Sequence, residues 1–115
     1  MLEKPLCWLG SSLGDIRGFP EDARRAAGYQ LRRVQQGLMP SDWKPLRSIG
    51  AGVYEIRLHT GVEHRIFYVA KLEEAVYVLH AFEKRTGRTP QTEVVLARTR
   101  LADLARRRAR KQEAS

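Results

Sequence analysis

A single cysteine, Cys7, stands among the 115 residues. One thiol cannot close an internal disulfide, so a reducing cytoplasm is the expected setting. Its apolar neighbours, in Leu6-Cys7-Trp8-Leu9, lead one to expect a buried, structural thiol. Long apolar runs are missing as well. None approaches the roughly 18 residues that a membrane span needs, so no membrane partner is expected. The opening stretch carries Glu3, and its apolar run is too short for a secretory leader. Also missing are a Gly-x-x-x-x-Gly-Lys phosphate loop, a Gly-x-Ser-x-Gly nucleophile elbow and a Cys-x-x-Cys pair, which removes three common chemistries. His59, His64 and His80 lack metal-ligand spacing, so neither a metal nor another cofactor is expected.

What the chain has is positive charge, a net +8 with 43% apolar residues. That apolar share suits one folded domain with a single core. An excess of cations points to acidic partners such as nucleic acid. Its distribution blunts the inference, because Arg98, Arg100, Arg106, Arg107, Arg108, Arg110 and Lys111 oppose only Asp103 and carry +6 of the total. A tail of this kind serves solubility, RNA affinity or docking on an acidic partner.

Along the chain, Leu6–Leu9 reads as a short buried strand, and Ser12-Leu13-Gly14-Asp15 has capping-box spacing for a helical turn reaching Arg17. Pro20 suits the first turn of the next helix. Ala23, Ala27, Leu31, Val34 and Leu38 form its apolar side, and Gly37 suits its end. A strand is expected to follow from Trp43 to Ile49. Tyr54, Ile56 and Leu58 then alternate with Glu55, Arg57 and His59, the period of a half-buried strand. His64–Lys71 and Ala75–Phe82 are rich in β-branched and aromatic residues and read as two more. Thr89-Pro90 opens a last helix with Val94, Ala97, Leu101 and Leu104 on its apolar stripe. The expected fold is α+β: N-terminal helices packed on a curved antiparallel sheet of about four strands, with a C-terminal helix. The domain is expected to occupy residues 1–105, and 106–115 to form a basic, frayed tail.

Three successive strands thus carry guanidinium groups. Cutting RNA needs no metal if the ribose 2′-hydroxyl attacks its own phosphate, but a group must take the proton and cations must hold the charge. Arginine suits the second task, since its fork can grip two oxygens. Arg57, Arg65 and Arg85 come from different segments and can meet on one phosphate. The plainer alternative is that each pairs with a glutamate on the sheet surface. On spacing alone both readings stand.

Tyr54-Glu55-Ile56-Arg57-Leu58, His64-Arg65-Ile66-Phe67-Tyr68 and Leu79-His80-Ala81-Phe82-Glu83-Lys84-Arg85 to Pro90, followed by a helix with Glu93 and Ala97-Arg98, resemble the RelE/HigB toxin superfamily. The likeness is greatest to its phage-derived HigB-like branch and covers roughly residues 44–102. It implies the toxin of a type II toxin–antitoxin pair, a ribosome-dependent, metal-independent messenger-RNA endoribonuclease. The ribosome, messenger RNA and a helix-turn-helix, HigA-like antitoxin are its implied partners. By motif position the resemblance implies catalytic roles for Arg57, Arg65, Arg85 and His80, and RNA contacts from Lys84, Arg88 and His64. His80, His64 and Glu55 are the candidates for proton transfer. His64 stands where the family commonly has tyrosine, and no tyrosine lies near Gln91, where some members stack a base. Two other functions suit the same scaffold: a ParE-like, non-catalytic inhibitor of DNA gyrase, and a phage-remnant binding module without toxicity.

Overall fold

The computed structural model describes residues 3–114, so the leader reading of Met1 and Leu2 and the final Ser115 of the tail lie outside the described residues. In order the chain forms β1 (Leu6–Trp8), α1 (Ser12–Arg17), α2 (Glu21–Gln35), β2 (Trp43–Pro45), β3 (Val53–Thr60), β4 (Val62–Val69), β5 (Val76–Glu83) and α3 (Gln91–Ala114). The sheet has five strands in the order β1-β5-β4-β3-β2. β2 to β5 are antiparallel neighbours, as the alternation suggests, but β1 runs parallel to β5. The sheet is therefore mixed. Its extra strand joins a partner some 70 residues away, a pairing that local periodicity does not reveal.

Successive side chains on a strand point to opposite faces, and that rule divides the core in two. Tyr54, Ile56, Leu58, Ile66, Tyr68, Val76 and Val78 meet α2 through Ala23, Ala27, Leu31 and Val34. Val53, Phe67, Val69, Tyr77 and Leu79 meet α3 through Val94, Ala97, Leu101 and Leu104. α3 thus packs on one face of the sheet. Two glycines let it approach. A Cβ on Gly10 would lie 2.4 Å from Arg100 Nε, and one on Gly50 would lie 2.4 Å from Leu101 Cδ2. Gly10 also needs its φ of +53°, which costs a side-chain-bearing residue energy.

Several local expectations change. Ser11, not Ser12, precedes α1 and donates to Asp15 at 2.8 Å; Ser12 is buried and donates to the Val78 carbonyl at 3.2 Å. Pro20 sits one residue before α2, where its carbonyl accepts the Arg24 N–H. Leu38 falls beyond the helix and is half exposed, because Gly37, at φ +85°, closes α2 and Leu38 N–H returns to the Arg33 carbonyl. The strand expected from Trp43 to Ile49 stops at Pro45.

Cys7 is exposed, not buried. Its neighbours Leu6 and Trp8 turn toward α2, so alternation sends the thiol to the α3 side. α3 itself continues as helix through Ala114, across the segment expected to fray, and Arg108 reaches Glu74 with two hydrogen bonds of 2.8 and 3.2 Å. Among the described residues no helix is long and apolar enough to cross a membrane.

Candidate functional site

Near the N-terminal end of α3 the sheet face is polar. β2, β3 and β4 place Lys44 opposite Glu55 and Arg57 opposite Arg65. All four share the α3 face, since Glu55 and Arg57 alternate with Ile56 and Leu58, and Arg65 alternates with Ile66. Lys44, Glu55, Arg57, Phe67, Lys84, Arg88 and Val94 line a cleft of about 370 Å3. Lys84 comes from the end of β5, held there by its N–H to the Glu63 carbonyl at 2.8 Å. Arg88 comes from the turn before α3.

Two arginines directly opposite on neighbouring strands repel each other. Glu55 offsets that repulsion from within the face. Its carboxylate, 2% exposed, accepts from Arg57 Nε at 3.0 Å and lies 3.9 Å from Arg65 Nε. Arg65 is also buried, at 6% exposure; its Nη1 donates to Glu63 at 3.0 Å and to the His64 carbonyl at 3.1 Å. Its buried Nε has no hydrogen-bond partner among the described residues. A buried, unpaired guanidinium N–H beside a second arginine is costly in an empty protein and favourable beside an anion. The cleft beside it presents Arg57, Lys84 and Arg88 to an anion.

The residues inferred from sequence separate here. Arg57, Lys84 and Arg88 line the cleft, and Arg65 lies buried opposite Arg57, outside the lining. Arg85 does neither; it is 83% exposed, pairs with Glu83 at 2.5 Å and is absent from the cleft lining. The strand ends at Glu83, so adjacent Lys84 and Arg85 diverge and only the lysine turns inward. His64 lies on the opposite, α2-side face, 1% exposed and 4.3 Å from the Phe19 ring. Being next to Arg65 on a strand, it cannot share the cleft face.

His80 faces α3 but behind Phe82, which stacks on it at 5.3 Å. A shift in register between β4 and β5 near Phe67/Tyr68 brings it there beside Leu79. Its Nδ1 lies 3.2 Å from Arg100 Nη1, and its Nε2 lies 2.6 Å from Glu93. A guanidinium only donates, so Nδ1 is the acceptor and Nε2 carries the proton toward the carboxylate. Both ring nitrogens are thereby committed to α3. Arg100 also donates to the Leu79 carbonyl and to Ser11, so this network fastens helix to sheet.

Sequence reasoning missed Lys44 and undervalued Glu55. Lys44 sits on a three-residue strand exposed throughout, with no alternation to mark it. Glu55 was legible by parity with Arg57. Among the described residues no cluster of three or more His, Cys, Asp or Glu is arranged to hold a metal ion.

Comparison with protein families matches residues 14–102 to the phage-derived Gp49-like family (DUF891), and the chain belongs to that family. The family falls within the RelE/HigB-like toxin group, whose α+β fold this structure shares. The match embraces α1 through the first half of α3, and hence the whole cleft. No curated protein matches the chain in a sequence comparison.

Proposed function

We propose that this chain is the toxin of a type II toxin–antitoxin pair and that it cuts messenger RNA on the ribosome without a metal. The observation that carries the reading is the buried Glu55 carboxylate set between Arg57 and Arg65, at the base of a cleft rimmed by Lys44, Lys84 and Arg88. Membership of the Gp49-like family supports it.

In this reading the scissile phosphate enters the cleft and takes hydrogen bonds from Arg57, Lys84 and Arg88, while buried Arg65 opposite Arg57 adds positive charge behind them. Glu55 accepts the proton of the ribose 2′-hydroxyl. The 2′-oxygen forms a bond to phosphorus, the bond from phosphorus to the 5′-oxygen breaks, and that oxygen takes a proton from water to leave as a 5′-hydroxyl. The cations hold the charge that gathers on the non-bridging oxygens, where preorganised donors contribute most. His64 and His80 are not the proton carriers: one is sealed under Phe19, the other is bound at both nitrogens. Arg85, on the outer surface, contacts RNA flanking the cleft and takes no part at the phosphate.

The products identify the chemistry. Attack by the 2′-hydroxyl leaves a 2′,3′-cyclic phosphate on one fragment and a 5′-hydroxyl on the other. A 2′-deoxy nucleotide at the cut position should abolish cleavage there while cuts elsewhere persist. Fragments with 5′-phosphate ends, or cleavage indifferent to the 2′-deoxy substitution, would refute the mechanism.

A further inference from the structure

A further cavity lies away from the cleft, beside the C-terminal half of α3. It measures about 470 Å3, and Cys7, Tyr77 and Leu104 form its apolar floor, with Arg107, Arg108 and Lys111 at its mouth. The charges there are unevenly satisfied. Arg108 holds Glu74 in a two-bond pair, and Glu74 also accepts from the Tyr77 hydroxyl at 2.8 Å. Arg107 and Lys111, four residues apart and so on one helical face, have no acidic partner among the described residues. The mouth therefore keeps two free cations above an apolar floor. It also opens at β1, the edge strand of the sheet.

We propose that this cavity is the docking site of an acidic, amphipathic helix from a protein partner. An apolar side chain of the partner fills the space over Tyr77 and Leu104, and its carboxylates pair with Arg107 and Lys111. Leu104, Arg107, Arg108 and Lys111 repeat at the three- and four-residue spacing by which one helix presents a face to another. An RNA backbone would use the cations but leave the apolar floor unfilled, so the lining favours a protein. The toxin reading supplies only the partner's identity, an antitoxin; the surface stands on its own geometry. Val94 borders the cleft ten residues before Leu104, so the two sites lie about 15 Å apart along the helix. The partner can then remain bound without filling the cleft.

Cys7 is the chain's one thiol, is exposed, and lines the cavity, which makes it a native reporter. The probe is a synthetic helix of about 16 residues, or about four and a half turns, with leucine at heptad a and d positions and glutamate on the flanks. The rate at which Cys7 reacts with a disulfide reagent is measured as the probe is added to the full chain. The expected result is at least a roughly tenfold slowing at saturation, as burial of the thiol requires, and no slowing in a folded Arg107→Glu, Lys111→Glu double variant. Three results would overturn the proposal: an unprotected thiol in the parent, equal protection in the variant, or equal protection by a single-stranded RNA of the same charge. Cleavage assays report on the other site, so failure here and failure of the nuclease reading are separable.

Discussion

Arg57 and Arg65 face each other across β3 and β4, an arrangement that strand pairing alone disfavours. Glu55 makes it tolerable, and in the proposed reaction the same carboxylate accepts the 2′-hydroxyl proton. Glu55→Gln keeps the shape and a hydrogen-bond acceptor but removes the base. It should lower the cleavage rate by about 10²–10⁴-fold, the range typical of a lost general base, while circular dichroism stays unchanged. Arg57→Ala acts differently, because it strips the buried carboxylate of its 3.0 Å partner. A stability loss of about 1–3 kcal/mol is expected in denaturant titration, as for other buried groups left unpaired. At this scale strand parity was the readable signal. It groups Glu55, Arg57 and Arg65 and separates His64 from Arg65, whereas family motif order had put His64 in the site. Parity has no authority past the end of a strand, and so the inward turn of Lys84 and the outward turn of Arg85 were beyond it.

The elements are joined at a few points, each of which can be tested. α3 docks where Gly10 admits the Arg100 guanidinium, which in turn holds Leu79, His80 and Ser11. Gly10→Ala places a methyl in that space and demands a left-handed conformation, so a loss of about 1–2 kcal/mol is expected from thermal unfolding. At the far edge, His59 joins Asp42 before β2 to Glu63 in β4, at 2.5 and 2.7 Å. Hydrogen bonds donated to Asp42 and then to Glu63 raise the His59 pKa above 6.5, and accepting from His59 lowers that of Glu63 below 4.5. A raised histidine pKa adds stability that is complete below 6.5 and fades as pH rises through the folded value. A lowered carboxyl pKa adds stability that is complete above 4.5 and fades as pH falls through the folded value. The stability gap between parent and His59→Ala should therefore be widest between 4.5 and 6.5 and narrow on both sides. The helices and three long strands were legible as elements because each carries a full period of apolar residues. β1 and β2, of three residues each, are too short to show one and are defined by their partners. We propose that residues 1–105 form the folding domain. Deleting 106–115 removes the Arg108–Glu74 pair and the cations at the second cavity, and should leave cooperative unfolding intact.

Over the whole molecule, cations line both the cleft and the second cavity, and both lie on the α3 face of the sheet. Contact with ribosomal and messenger RNA would release counterions, so cleavage should fall linearly in log–log form as salt rises, most steeply for the parent and less for variants lacking a contacting arginine. The Gp49-like match fixes the family, and the cleft gives that membership a physical content: a buried carboxylate and two opposed arginines with an unsatisfied N–H. The most direct test is message cleavage in a purified translation system, mapped by primer extension, with the parent beside Arg65→Ala. The account predicts cuts within translated codons for the parent and none for the variant, with both proteins folded. Intact messages in the presence of folded parent protein would contradict it, and damage to DNA through gyrase would then be the activity to measure.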